Sequence, residues 1–257
     1  MRIAVVFDTP HADWTPEQHS AQLVAELANQ RNVEPEMEYQ VARALENGGH
    51  DVLLLGVHDD LRDMSARLVD WKPALVFNAT EAFLDNAELD YLIPALLESE
   101  GYRYTGAPPL ALLVTRNKAM SKKILAYHGV KVPDFRSYRV GELPGGSSAL
   151  RFPLIVKPMQ ADASEGIAQA SIVHDNAALV ERVTFVHERF AQPAIVEEYI
   201  EGRELYATII GNGDTVTILP IVEMVFDAAG SRPEDRIATQ SAKWDIGYRK
   251  RRGIKNV

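Results

Sequence analysis

The chain has 257 residues and a formal net charge of −9, from 27 Lys and Arg against 36 Asp and Glu. Hydrophobic residues make up 46 % and charged residues 25 %, an ordinary globular composition that excludes a disordered tail, a collagen-like fibre and a coiled-coil rod. With no cysteine in the chain, disulfide frameworks, zinc–cysteine sites, iron–sulfur clusters and thiol catalysis are excluded as well.

The length suggests about two domains, with enough chain to bury a core without a disulfide or metal staple. The acidic balance argues against non-specific nucleic-acid binding, which depends on neutralising phosphates. The one basic run, Arg249-Lys250-Arg251-Arg252, reads as a solvated face. No apolar run approaches the ~20 residues of a membrane span. The first residues carry no signal-peptide pattern. A soluble, cytoplasmic protein is the expectation.

In chain order, residues 2–8 are a short apolar run ending in Asp8-Thr9-Pro10, a buried strand and its exit loop. A polar segment follows to about residue 33. Met37, Val41, Ala44 and Leu45 recur at helical spacing, and Gly48-Gly49 closes that helix. Asp51 to Gly56 and Ala74 to Ala79 read as two further buried strands. Leu92 to Glu100 reads as a helix stopped at Gly101, and Tyr102 to Gly106 as a short fourth strand. Strands alternating with helices imply a parallel sheet covered on both faces, with ligands beyond the carboxyl ends of its strands.

A single long helix is expected from Pro108 to Tyr127, stopped by Gly129. The pattern then changes. Phe152 to Lys157, Gly166 to Val173, Ala194 to Ile200, Leu205 to Gly211 and Thr215 to Phe226 read as strands, with one helix near Ala177 to Phe190. Gly211-Asn212-Gly213-Asp214 is a hairpin turn, so this region should be mostly antiparallel. Gly145-Gly146-Ser147-Ser148 reads as a flexible surface loop.

The common motifs are absent: no G-x-G-x-x-G, no Walker loop, no G-x-S-x-G elbow, and no histidine pair spaced to hold zinc on one helical face. Two other features stand out. Lys157 ends the apolar run Phe152-Pro153-Leu154-Ile155-Val156, beside the small-residue loop Gln160-Ala161-Asp162-Ala163-Ser164-Glu165-Gly166. Such a loop lets backbone N–H groups approach an anion, although a strand-terminal lysine can equally well snorkel to water. In Val196-Glu197-Glu198-Tyr199-Ile200-Glu201-Gly202-Arg203-Glu204, the two adjacent carboxylates of a strand point to opposite faces. One of them therefore faces inward and needs partners, unless the whole segment is a solvated edge strand.

Taken in order, Lys118, the run into Lys157 and Pro158, the loop through Gly166 and the segment Val196 to Glu204 resemble the ATP-grasp superfamily, and within it the D-alanine–D-alanine ligases. The resemblance runs from Arg2 to Asp245. It implies an N-terminal parallel α/β (pre-ATP-grasp) domain over residues 1–117, followed by an α+β ATP-grasp domain with antiparallel sheets. The latter divides into a central subdomain, 118–192, and a partial C-terminal subdomain, 193–257.

The same resemblance implies residue roles. Lys118 and Lys157 would bind ATP phosphates, with Ser164 and the neighbouring backbone as further donors. Glu197 would accept from the adenine amino group, Glu198 and Ile200 would offer backbone groups to the adenine edge, and Glu204 would hold the ribose. Ala238 to Trp244 resembles the family's mobile loop, with Lys243 and Trp244 covering the active site and Lys243 near the γ-phosphate. The implied chemistry is carboxylate–amine ligation through an acyl phosphate, with ATP and Mg²⁺ and an amino-acid or carboxylate substrate. A homodimer is possible.

The sequence also departs from the family pattern. The family's metal-binding Glu-x-Asn is absent, and Asp245 is the one carboxylate after Trp244. No metal ligand is therefore assigned, and the expectation is a truncated, itself inactive form of a longer ligase. The Glu-Val-Ser and His-Gly segments of the dipeptide ligases are replaced around Glu36 and Glu81, whose carboxylates could hold an ammonium group. The alternatives are a non-catalytic nucleotide-binding module of the same fold and a two-domain small-molecule binding protein.

Overall fold

The computed structural model describes residues 1–9, 37–145, 149–226 and 233–257. The expected polar segment before residue 33, Glu36, and residues 146–148 of the expected flexible loop lie outside the described residues. The chain divides into two compact units, Met1–Thr115 and Arg116–Val257.

The first unit is built on β1 (Arg2–Asp8), α1 (Met37–Asn47), β2 (Asp51–Val57), α2 (Leu61–Trp71), β3 (Leu75–Asn78), α3 (Leu92–Ser99) and α4 (Pro109–Arg116). The strands form a parallel sheet in the order β2-β1-β3. Both of its faces are covered, which is why the strands read as continuous apolar runs. Ala4 and Val6 pack with Met64 and Leu68 of α2 and Ile93 and Leu97 of α3. Val5 and Phe7, pointing the other way, pack with Tyr39 and Ala42 of α1.

Several expectations are corrected here. The buried stripe of α1 is Tyr39 and Ala42, with Val41 and Leu45 beside it, while Met37 and Ala44 are exposed. Helix α2 was not anticipated. It is capped by Asp60, whose carboxylate accepts from the N–H groups of Arg62 and Asp63, and it buries Met64 and Leu68. The expected strand at Tyr102 to Gly106 contracts to one parallel bridge between Tyr104 and Val76. Pro108 and Pro109 follow, and without N–H groups they cannot extend a ladder.

The second unit opens with α5 (Lys118–Tyr127), so the expected single helix from 108 to 127 is two helices. Asn117 breaks it: its backbone is extended, and its side chain accepts from Met120 N as the cap of α5. Then follow β4 (Phe135–Tyr138), β5 (Leu154–Pro158), β6 (Ile172–Val173), α6 (Asn176–Phe190), β7 (Ala194–Glu198), β8 (Glu204–Tyr206), β9 (Ile209–Ile210), β10 (Thr217–Ile218), β11 (Val222–Phe226), α7 (Gln240–Trp244), α8 (Ile246–Arg252) and β12 (Ile254–Asn256).

A four-stranded sheet runs β4-β7-β5-β6, and a three-stranded sheet runs β12-β11-β8. Strands β9 and β10 pair across the turn at Gly211 to Asp214. Every pairing described in this unit is antiparallel. Because β7 lies inside the four-stranded sheet, the expected boundary at 192/193 falls just before a strand that belongs to that sheet. The expected strand from Gly166 to Val173 shrinks to Ile172 and Val173. Gly166 has a left-handed φ of 70°, and a short 3₁₀ turn, Gln169–Ser171, uses the residues that follow. Pro220 separates β10 from β11 where one strand was expected.

Candidate nucleotide cleft

The pairing of β5 with β7 positions the central residues. Ile155 lies opposite Glu197, and Lys157 opposite Ile195. These four side chains therefore share one face of the sheet. The opposite face carries Leu154, Val156, Ala194 and Val196, buried against Leu179, Val183 and Val186 of α6. That apolar face fixes the register, because a one-residue slip would drive Lys157 and Glu197 into the core.

Glu197 is only 3 % exposed, and two lysines approach it. Lys157 Nζ lies 2.9 Å from Oε2, and Lys122 Nζ, from α5, lies 3.4 Å from Oε1. The Lys157 contact is a hydrogen bond. Oε1 has no hydrogen-bond partner, so the Lys122 contact is purely one of charge. Glu198, pointing the other way, accepts from Arg151 at both carboxylate oxygens, 2.8 Å from its backbone N and 2.9 Å from Nη2. Those hydrogen bonds hold the Glu198 carboxyl below the usual carboxylate range.

Lys118 begins α5. Its backbone N–H donates to Met159 O, and its ammonium group donates to Ala161 O. Burial pushes the Lys118 ammonium below its ordinary lysine value. The loop after Met159 is tied down by Gln160 N donating to Gln192 Oε1 and by Arg116 paired with Asp162 at 2.7 Å. Within it, Ala163 and Ser164 both have left-handed backbones, which explains the small residues. At Gly166 any Cβ would come within 2.7 Å of the Phe190 ring.

All seven residues expected to bind nucleotide (Lys118, Lys157, Ser164, Glu197, Glu198, Ile200 and Glu204) line one cleft of about 560 Å³, and so does Lys243. Glu204 Oε1 is 3.5 Å from the Tyr206 hydroxyl, and Lys243 Nζ stands 5.8 Å from the centre of the Tyr206 ring. Trp244 is largely exposed, but its Nε1 donates to Ala163 O at 3.3 Å. The small-residue loop and the 238–244 segment are thus brought together. Glu81 lies in the first unit, where its N–H donates to Asp8 Oδ1 beyond the carboxyl ends of β1 and β3.

Lys122 and Arg236 were not anticipated from the sequence. Lys122 stands four residues after Lys118, one helical turn on, a spacing that could have revealed it. Arg236 lines the cleft from a segment without a sequence pattern of its own. Apolar side chains of Ile155, Ile167 and Ile237 complete the walls. A concave site of this size, in which charged and apolar side chains share the wall, suits a small ligand. Its cations suit an anionic group at one end, and its apolar walls suit a flat ring.

Several known proteins are similar to this chain. The family described as D-ala D-ala ligase C-terminus matches residues 123–242. An uncharacterized protein of Sinorhizobium fredii, y4sG, is 36 % identical over 188 residues, covering 71 % of this chain and 54 % of that protein. The D-alanine–D-alanine ligase of Bordetella pertussis is 32 % identical over 197 residues, covering 73 % of this chain and 59 % of the ligase. The chain therefore spans a little over half the length of these relatives. The crystal structure of D-alanine–D-alanine ligase from Bacillus anthracis complexed with ATP superposes with a TM-score of 0.64 at 23 % identity, over 89 % of this chain and 67 % of that one. In its matched sequence family and in its fold, the chain is similar to the D-alanine–D-alanine ligases.

Proposed function

We propose that the chain carries the nucleotide-binding part of an ATP-dependent carboxylate–amine ligase of the D-alanine–D-alanine ligase type. The observation that carries this reading is the meeting of Lys118, Lys157, the Ala163–Ser164 turn and the Glu197–Glu204 segment in one cleft. The donor set fits ATP. Lys118 and Lys157 are two ammonium groups for phosphate, and the small-residue loop leaves its backbone open to the same group. The buried Oε1 of Glu197 still lacks a hydrogen-bond donor, which the amino group of adenine would supply. Glu198 and Ile200 would present backbone groups to the base, Glu204 would hold the ribose hydroxyls, and Ser164 would donate to phosphate.

In the ligation, a substrate carboxylate oxygen attacks the γ-phosphorus as the bond to the ADP oxygen breaks, giving an acyl phosphate. An amine then attacks the acyl carbon, and phosphate leaves as the amine loses a proton to water. Negative charge accumulates in the first step, so the lysines stabilise it more effectively than an acid–base pair would. Lys243 would lie near the γ-phosphate, and Trp244, already bonded to the Ala163 carbonyl, would help exclude water that could hydrolyse the acyl phosphate. Glu36 and Glu81 would hold the ammonium group of an amino-acid substrate.

Mg²⁺ would accompany ATP and neutralise its phosphates. Among the described residues no group of three His, Asp or Glu side chains gathers to hold a metal ion. Mg²⁺ is usually held by one or two carboxylates beside the substrate phosphates, so such a group of three is not what it requires. Among the described residues no helix is long and apolar enough to cross a membrane. A small-molecule substrate, a cytoplasmic setting where ATP is supplied, and a homodimer complete the reading. Calorimetric titration with a non-hydrolysable ATP analogue tests it: saturable one-to-one binding supports it, and no binding overturns it.

A further inference from the structure

The four charged groups around the inner end of the cleft are unequal. Lys157 and Lys118 line it, and so does Glu197, but Lys122 does not. Lys122 is nevertheless well buried, with 17 % of its side chain exposed, and its charge is directed at Glu197 Oε1 from α5. One buried carboxylate thus sits between two lysines, Lys157 on the ligand side and Lys122 outside the cleft. A buried carboxylate that loses its counter-charge is strongly disfavoured and tends to take up a proton instead.

We infer that Lys122 is a positioning residue: it keeps Glu197 ionised and in place when a bound triphosphate draws Lys157 away. The inference rests on the nucleotide reading above. Lys157 cannot give its full charge to a phosphate while it is the sole partner of Glu197. With Lys122 4 residues from Lys118 on one helix, a single element supplies both a cation for the ligand and the replacement partner for the carboxylate. Glu197 then remains a hydrogen-bond acceptor, which is what recognition of an exocyclic amine requires. Lys118 also faces this group through charge, but its ammonium is held by the Ala161 carbonyl. The predicted consequence concerns discrimination: adenine, with its amine, should be preferred over hypoxanthine, which carries a carbonyl there, only while Lys122 is present.

The test is calorimetry on the full chain at pH 7 with non-hydrolysable ATP and inosine triphosphate analogues, in two buffers of different ionisation heat. The parent should bind the adenine analogue at least about tenfold more tightly than the inosine analogue, the scale set by one charge-assisted hydrogen bond. Lys122→Met should bind the adenine analogue about tenfold more weakly, lose most of the preference and take up close to one more proton per nucleotide than the parent. Lys122→Arg should restore the affinity, the preference and the proton count. If Lys122→Met fails to fold by circular dichroism, Lys122→Gln is read in its place. Parental affinity and proton uptake in the neutral variant overturn the inference while leaving the nucleotide reading intact. A parent chain that binds neither analogue overturns both.

Discussion

Lys157 and Glu197 are diagonal neighbours on the β5–β7 ladder, with Nζ and Oε2 2.9 Å apart on a face where Glu197 is almost completely buried. The pair is folded into the protein as a structural ion pair and at the same time lines the cleft. Replacing the carboxylate by an apolar side chain leaves two lysines facing each other with no counter-charge. Glu197→Leu should therefore lose about 3 kcal/mol or more of stability, on the scale of breaking a buried pair. A urea titration checks it, and an unchanged midpoint would show that Lys157 and Lys122 relax into water at no cost.

Gly166 offers a backbone test of the small-residue loop. Its φ of 70° is left-handed, and an added Cβ would meet Phe190 Cζ at 2.7 Å and Pro158 Cγ at 2.9 Å. Gly166→Ala combines strain with overpacking and should cost about 1–3 kcal/mol. Phe190→Leu in the same chain should recover part of that cost by opening space, which the two unfolding midpoints would reveal.

Acid titration probes the Glu198–Arg151 pair. Arg151 holds the Glu198 carboxyl below its ordinary value of 4.5. A carboxylate depressed in the folded state stabilises the fold above its unfolded value, and that contribution is lost as pH falls through the folded value. Arg151→Ala should move the Glu198 titration, followed by carboxyl NMR, back up toward 4.5. It should also flatten the loss of stability below that pH. An unmoved titration would mean that Arg151 does not hold the carboxylate in solution.

How much of this was legible in the sequence follows from what each residue depends on. Lys157, Glu197 and Glu204 stood at recognisable positions in strand-like runs, and the structure brings them into one cleft with Lys118 and Lys243. The first unit's parallel sheet was readable because strands buried on both faces leave unbroken apolar runs. Helix α2 was missed although Asp60, Met64 and Leu68 mark its cap and inner face. The single helix expected across residue 117 failed because Asn117 prefers to cap a new helix over continuing the old one. The spacing of Lys122 from Lys118 sets both on one side of a helix, but it gives no sign of the distant carboxylate that Lys122 meets. Its partner is 75 positions away, and only the packing of α5 on the sheet joins them.

Lys118 carries a prediction at alkaline pH. Burial lowers its ammonium below the ordinary lysine value of 10.5. The cost of burying that charge is fully present below the folded value and is relieved as pH rises through it, because the unfolded chain then holds the extra proton. A bound triphosphate favours the charged form and should raise the Lys118 titration. NMR of carbon-13 dimethylated lysines, with and without an ATP analogue, reads the shift. A Lys118 signal that titrates identically in both states would remove Lys118 from the phosphate site.

The most direct test of the nucleotide cleft is the affinity of Lys157→Ala for a non-hydrolysable ATP analogue, measured by calorimetry beside the parent chain. Losing one charge-assisted hydrogen bond to phosphate should weaken binding about 10- to 100-fold while the far-ultraviolet spectrum stays that of the parent. Parental affinity in a folded Lys157→Ala chain would contradict the assignment of this cleft to the phosphates of ATP.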